Sequence, residues 1–471
     1  MSINLTGTND TVEATDALAR EGNDDDQMRR GPLTMAFYGV ISAMFFVYIG
    51  AAMALGYGTL NAAIGIALTI VTYGAINMLL SKYAINNRTT VALFSRTILG
   101  RSGASIAALI FALVAIYYAV FEGSIVAYAF QAAFGGETWM WYLIVVAYST
   151  PLIMGGARRF LDKINGILMP LYWGGFIIAC IWAVAQYGYN DAWLTHTGPE
   201  LPLASGGPGW LATYAGYMGV WIMMMFTMDF AALGKRQDTK YHQRVTFGPL
   251  FYILAFGLNG FFGVFLSFMI PGIEASELGI AAGLVKLMGL FGLLVVFASQ
   301  TRINTANYYL GAANLRIFGE KVFRIKLPNL VWVCISSTII FLLMLLPIVE
   351  YILLALAWQG VLVTAWVAIA GTHILMNRGK RQEHAAVGDH HYRQFNVVGM
   401  ISWLVPTVVG IAMIQFAGGF GATWGPIITA ALAAAMYAVL RSTMHVDTAL
   451  VTTINADEAA LDRQRKAQLA V

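Results

Sequence analysis

Residues 34–56, TMAFYGVISAMFFVYIGAAMALG, form an apolar stretch interrupted by Gly39 and Gly50, which flank Ser42, Met44 and Phe45. A helix crossing a bilayer needs about 20 such residues. Residues 210–230, WLATYAGYMGVWIMMMFTMDF, repeat the pattern, with Gly216 and Gly219 just before Trp221. Transporters often place their sites where membrane helices are interrupted near the midplane. Glycine in a membrane helix also simply permits close packing, so either stretch alone carries both readings. Their pairing favours the functional one.

The surrounding composition is that of an integral membrane protein. Of the 471 residues, 59% are hydrophobic and 11% charged, with a mean hydropathy of +0.68. A soluble domain carries about 25% charged residues. Cys180 and Cys334 lie inside apolar runs and read as small core residues rather than a disulfide or metal pair. Residues 1–30 are polar, include Asp24, Asp25 and Asp26, and hold no apolar signal core. They are expected to form a disordered tail, with the first span acting as its own insertion signal.

Helical periodicity and length predict twelve spans: 34–55, 60–81, 104–133, 139–156, 165–187, 209–232, 246–270, 283–315, 328–346, 349–376, 395–416 and 423–440. The eighth is long enough to tilt or to run past the bilayer surface. If spans 1–5 and 6–10 are inverted repeats, the two glycine-interrupted stretches fall at corresponding positions. An odd number of spans per repeat makes the halves run in opposite directions, as that architecture requires.

Of 28 Lys and Arg, 26 fall in the terminal tails or in the loops after even-numbered spans, Arg96 and Arg101 among them. The other loops carry Glu137, Asp191, Glu200, Glu274 and Glu277 and no basic residue. The positive-inside rule then places both termini on the cytoplasmic side of the cell membrane. Topology accounts for these basic loops, so nucleic acid is not an expected partner. Trp139, Trp141, Trp210 and Trp424 read as interface anchors. The two remaining basic residues, Lys286 and Arg302, both lie in the eighth span. Lys286 can snorkel outward. Arg302 sits mid-span, where a cation persists only when paired or when it does a job.

Four stretches together carry a family resemblance: Gly31-Pro32-Leu33 before the first span; TTVALFSRTILGRSGAS (89–105) before the third; Gly219-Val220-Trp221 followed by Asp229-Phe230 in the sixth; and Leu310-Gly311-Ala312-Ala313-Asn314 late in the eighth. The chain resembles, over residues 31–376, the nucleobase–cation symporters that include cytosine permeases and hydantoin transporters. The resemblance implies an all-α membrane protein with a five-plus-five inverted-repeat (LeuT-type) core and two extra helices. The expected organisation is a tail at 1–30, a core at 31–376 with repeats 31–187 and 209–376, a linker at 377–394, accessory helices at 395–440 and a tail at 441–471. It also implies a small-molecule substrate stacked between spans one, three, six and eight, with no cofactor. Carried over by position, the contacts are Phe45, Tyr118, Glu122 and Trp221, with Asn304 and Asn307 as candidates on the eighth span.

The chemistry of these residues fits. Tyr118 and Glu122 are four apart and share a helix face. A buried carboxylate must be paired, protonated or bound to substrate. A planar heterocycle needs flat aromatic surfaces and a few polar groups at its edge. Adjacent N–H groups, as on guanine, can donate twice to one carboxylate. A small organic cation would suit Glu122 and an aromatic cage equally well, and an ion pair of Glu122 with Arg302 or Lys286 is the structural alternative. Asp229 reads as a helix-end pair or cap, with a gating contact second.

In sodium-coupled members the resemblance places an ion between helix-one carbonyls, here Ile41 and Met44, and adjacent hydroxyls on the eighth span. This chain reads Ser299-Gln300-Thr301-Arg302 there, so Gln300 or Arg302 takes the second hydroxyl position. An arginine stays charged at physiological pH and can replace the coupling cation. The expectation is sodium-independent transport, driven by protons or by the substrate gradient alone. A membrane-embedded enzyme is the alternative from another class, but His196, His242, His373, His384, His390, His391 and His445 all fall in loops or at span ends. A metal site is not expected outside the histidine cluster of residues 383–393, and no filter-like repeat suggests a channel.

Overall fold

The computed structural model describes residues 27–154, 157–198, 206–273, 277–346, 352–378 and 392–444. The expectations for the tail through residue 26, for Glu200 and Glu274, for His384, His390 and His391, and for the chain beyond residue 444 lie outside the described residues.

Backbone groups find no hydrogen-bond partner in hydrocarbon, so a chain this apolar resolves into helices. Among the described residues there is no strand, only an isolated bridge between Met28 and Gly234. The first span is α1 (Arg30–Tyr38), a 3-10 turn over Gly39–Ser42 and α2 (Met44–Tyr57), bent by 46°. Next come α3 (Thr59–Asn87), α4 (Val91–Phe134), α5 (Thr138–Met154) and α6 (Ala157–Tyr187). The sixth span is α7 (Gly209–Met218) and α8 (Ile222–Ala231), bent by 45°. α9 (Arg236–Met269), α10 (Glu277–Met288), α11 (Leu290–Phe318), α12 (Asn329–Met344), α13 (Ile352–Met376), α14 (Val397–Phe416) and α15 (Gly418–Met444) complete the bundle.

Seven of these helices are long and apolar enough to cross a membrane, or nine spans if each bent pair is one. The other three expected spans differ for identifiable reasons. α5 and α12 are apolar but only 17 and 16 residues long. α11 carries Ser299, Gln300, Thr301, Arg302, Asn304, Thr305 and Asn307 in one buried run. It lies inside the bundle, and α4 is the element it packs against most extensively.

The eighth span, expected as one long helix over 283–315, is two. Gly289 adopts φ 58°, a conformation that only glycine reaches cheaply, and separates α10 from α11. α10 folds back so closely that a Cβ on Gly292 would stand 2.1 Å from the Leu284 carbonyl oxygen. Lys286 therefore belongs to α10, and of these two basic residues only Arg302 lies in α11.

Two arginines expected in a loop and a tail are helical and buried. α4 begins before its kink at Gly100 (φ 82°), which puts Arg96 inside it with its guanidinium 5.3 Å from the Tyr392 ring centre. Arg441 ends α15 and donates to Asn377 Oδ1 at 2.8 Å. The chain before α14 docks at the same kink, where Asn396 N–H donates to Leu99 O at 2.9 Å.

Candidate functional site

The break in the first span strips backbone groups of helical partners, and buried groups of that kind must be satisfied from elsewhere. α11 and α9 supply the partners. Ser42 Oγ donates to Ser299 O at 3.1 Å, and Ser299 Oγ donates to Ser42 O. Met44 N–H, the first amide of α2, donates to Gln300 Oε1 at 3.1 Å. Ile41 O accepts from Asn259 Nδ2 at 2.7 Å, and Asn259 Oδ1 accepts from the Tyr172 hydroxyl at 2.8 Å. Arg302 Nη2 lies 3.5 Å from Tyr38 O. Thr301 turns the other way, its hydroxyl 3.1 Å from that of Tyr148.

Glu122, 1% exposed on α4, accepts from Gln300 Nε2. Gln300 thus joins this carboxylate to the helix-one break. The ion pair between Glu122 and Arg302 or Lys286 is not formed: a neutral amide holds Glu122, and the Arg302 guanidinium is directed at helix one.

Tyr118 stands one turn from Glu122, and its hydroxyl accepts from Gln359 Nε2 of α13 at 3.2 Å. The next residue, Gly360, lies against the sixth-span break, where a Cβ would fall 2.6 Å from Gly219 Cα. Trp221 stands at that break, edge-on to Tyr73 with ring centres 6.4 Å apart. Phe45 follows Met44 at the start of α2. The fold therefore brings Glu122 and Phe45 to one break, and Tyr118 and Trp221 to the other.

Asn304 and Asn307 continue the Gln300 face along α11. Asn304 packs in the seam with α4, where a Cβ on Gly123 would meet its Nδ2 at 3.4 Å, with Val145 and Met344 alongside. Both ends of the Asn304 amide, Asn307 Nδ2 and Trp221 Nε1 are buried and have no hydrogen-bond partner among the described residues. A buried polar atom without a protein partner costs about 1–3 kcal/mol, so these atoms are the open hydrogen-bonding positions of this region.

Asp229 lies apart from these residues. Its Oδ1 accepts from Val91 N–H at 2.8 Å and so caps α4, beside Thr90, whose hydroxyl accepts from Leu93 N–H at 3.3 Å. At the same end of the bundle α1 is fastened to the start of α9. Thr34 and Thr246 hydroxyls meet at 2.7 Å, the Tyr38 hydroxyl donates to Val245 O at 2.8 Å, and Arg30 pairs with Asp238 at 3.2 Å. No group of three or more His, Cys, Asp or Glu could hold a metal among the described residues.

Asn259, Tyr172 and Gln359 escaped the sequence reading, and Ser42 entered it only as a residue between Gly39 and Gly50. Asn259 and Gln359 carried a usable signal, each being a lone amide in an apolar span, where it needs a partner. Tyr172 had none, because tyrosine is an ordinary membrane residue.

No family model and no curated protein sequence matches the chain. Solved structures do. The inward-facing conformation of Mhp1 is 16% identical, with a TM-score of 0.68 over 90% of this chain and 95% of that one. Mhp1 is a nucleobase-cation-symport-1 family transporter, and its closed conformation with bromovinylhydantoin bound is 15% identical, with a TM-score of 0.66 over 88% and 92%. A sodium-coupled sialic acid symporter is 12% identical, with a TM-score of 0.56 over 92% and 95%. A manganese transporter of Eremococcus coleocola is 13% identical, with a TM-score of 0.55 over 95% and 97%. The fold is therefore the LeuT-type fold shared by these carriers.

Proposed function

We propose that the protein is a multi-pass secondary carrier that imports a planar N-heterocycle of the nucleobase or hydantoin class by alternating access. The observation that carries this reading is Glu122, a fully buried carboxylate held by a neutral amide at the helix-one break. In this reading Tyr118, one turn from Glu122, and Phe45 and Trp221 at the two breaks are the flat surfaces, and Asn304 and Asn307 supply unsatisfied polar atoms. Mhp1, of the same fold, binds bromovinylhydantoin, itself a planar N-heterocycle. In this reading the core spans 31–376 with repeats at 31–187 and 209–376, residues 395–440 are accessory, and the basic loops face the cytoplasm.

Transport in this reading is independent of sodium. A hard cation needs several free oxygen ligands. Here Ile41 O is engaged by Asn259, the Ser42 and Ser299 hydroxyls and carbonyls by each other, and Gln300 by Met44 and Glu122. Arg302, 2% exposed beside the Tyr38 carbonyl, supplies a fixed positive charge in that region. Uptake into proteoliposomes should be unchanged when sodium is replaced by choline; a fall to background overturns this part of the reading. Collapse of uptake by a protonophore would identify protons as the driving ion.

A small organic cation is the second reading, favoured because Glu122 has a neutral amide and no basic partner among the described residues. A thermal-shift screen of nucleobases, hydantoins and small amidinium compounds separates the two classes.

A further inference from the structure

Gln300 makes two contacts that no other part of the helix-one break combines. The orientation of its amide follows from chemistry: Met44 presents a backbone N–H, so the atom 3.1 Å away is Oε1, and Nε2 faces Glu122. Met44 opens α2, whose first amides have no helical acceptor. A helix start is normally capped by the residue before it, but that residue is Ala43, which has no side-chain acceptor. Gln300 therefore caps α2 from a neighbouring helix. Its other end occupies Glu122 Oε2.

A ligand with two adjacent N–H groups engages both oxygens of a carboxylate. It therefore meets Gln300 at Oε2. We infer that Gln300 is a positioning residue that links occupancy of Glu122 to the helix-one hinge: a ligand donating to both carboxylate oxygens displaces Gln300 Nε2 and loosens the cap on Met44. The inference rests on the reading of Glu122 as the ligand-binding carboxylate. It assigns Gln300 two opposed effects, since it competes with the ligand and also stabilises one position of the hinge. Loss of Gln300 should then separate binding from transport.

The test uses the full chain in proteoliposomes with guanine, cytosine, hydantoin and guanidinium as probes. With the probe that binds, Gln300→Leu should bind about threefold to tenfold tighter, the scale of one hydrogen bond released, while uptake slows about tenfold or more. Binding and uptake falling together, or neither changing, overturns the inference. Gln300→Asn is one methylene too short to reach both partners yet keeps the polarity; it should show the same split and provides the test if Gln300→Leu does not fold. The affinity gain should vanish in Glu122→Gln combined with Gln300→Leu, and its persistence overturns the link. Failure of the underlying reading is distinct: Glu122→Gln alone then leaves binding unchanged, or no probe binds the unaltered chain.

Discussion

At the scale of single residues, the sequence made Glu122, Trp221 and Arg302 conspicuous because charge and large rings are costly or distinctive inside a membrane. It offered Arg302 or Lys286 as a partner for Glu122, and the structure forms neither pair. Glu122 takes its hydrogen bond from Gln300, a residue read from sequence only as standing where a coupling-ion hydroxyl would be. Pairings of this kind depend on helix rotation, which periodicity does not fix to one residue. Asn259 illustrates the energetic weight of what was missed. It satisfies the Ile41 carbonyl and the Tyr172 hydroxyl together, at 2.7 and 2.8 Å. Asn259→Leu leaves both groups buried and unsatisfied, at about 1–3 kcal/mol each. The expected outcome is a lowered thermal midpoint in detergent together with slower uptake; a variant as stable as the parent would show that water replaces the amide.

At the scale of elements, the two glycine-interrupted stretches were legible and the eighth span was not. Glycine and small polar residues mark a break from sequence, whereas Gly289 looked like any glycine in a long apolar run until its φ of 58° was known. Capping was legible only in part. Asp229 could be read as a helix-end residue, but its helix is α4 rather than its own. Loss of a cap costs about 0.5–2 kcal/mol. Asp229→Ala should lower the thermal midpoint by a few degrees and leave the rate of uptake near that of the parent. A large loss of uptake at unchanged stability would instead make Asp229 part of a gate.

At the scale of the whole molecule, the helical class followed from hydropathy, and nine of the twelve expected spans stand as helices or bent pairs long and apolar enough to cross a membrane. Closure of the bundle did not. α1 is fastened to α9 by contacts between residues about 200 apart in sequence, which hydropathy does not encode. Their magnitudes rank the fastenings. Arg30 is 62% exposed in its pair with Asp238, and such pairs contribute about 0–1 kcal/mol. Thr246 is buried between Thr34 and the His242 Nδ1 atom, 2.7 and 2.8 Å away. Breaking a buried contact of this kind costs about 1–3 kcal/mol. Thr246→Val should therefore open this end more than Arg30→Ala does. Thiol labelling of a Leu33→Cys reporter, with Cys180 and Cys334 replaced by alanine, measures the difference; equal labelling in the two variants would refute the ranking.

The polarity of α11 also bears on how the chain enters a membrane. Asn, Gln, Ser, Thr and Arg side chains crowd its middle, and the insertion machinery accepts a helix according to its own apolarity. α11 is a poor candidate for release into lipid by itself. α4, made earlier, is the surface it packs against, so the ribosome has supplied a partner before the polar helix emerges. The expected order of insertion is that α11 leaves the translocon only against α4. In a glycosylation reporter α11 alone should fail to span, and α4 supplied on the same chain should restore it.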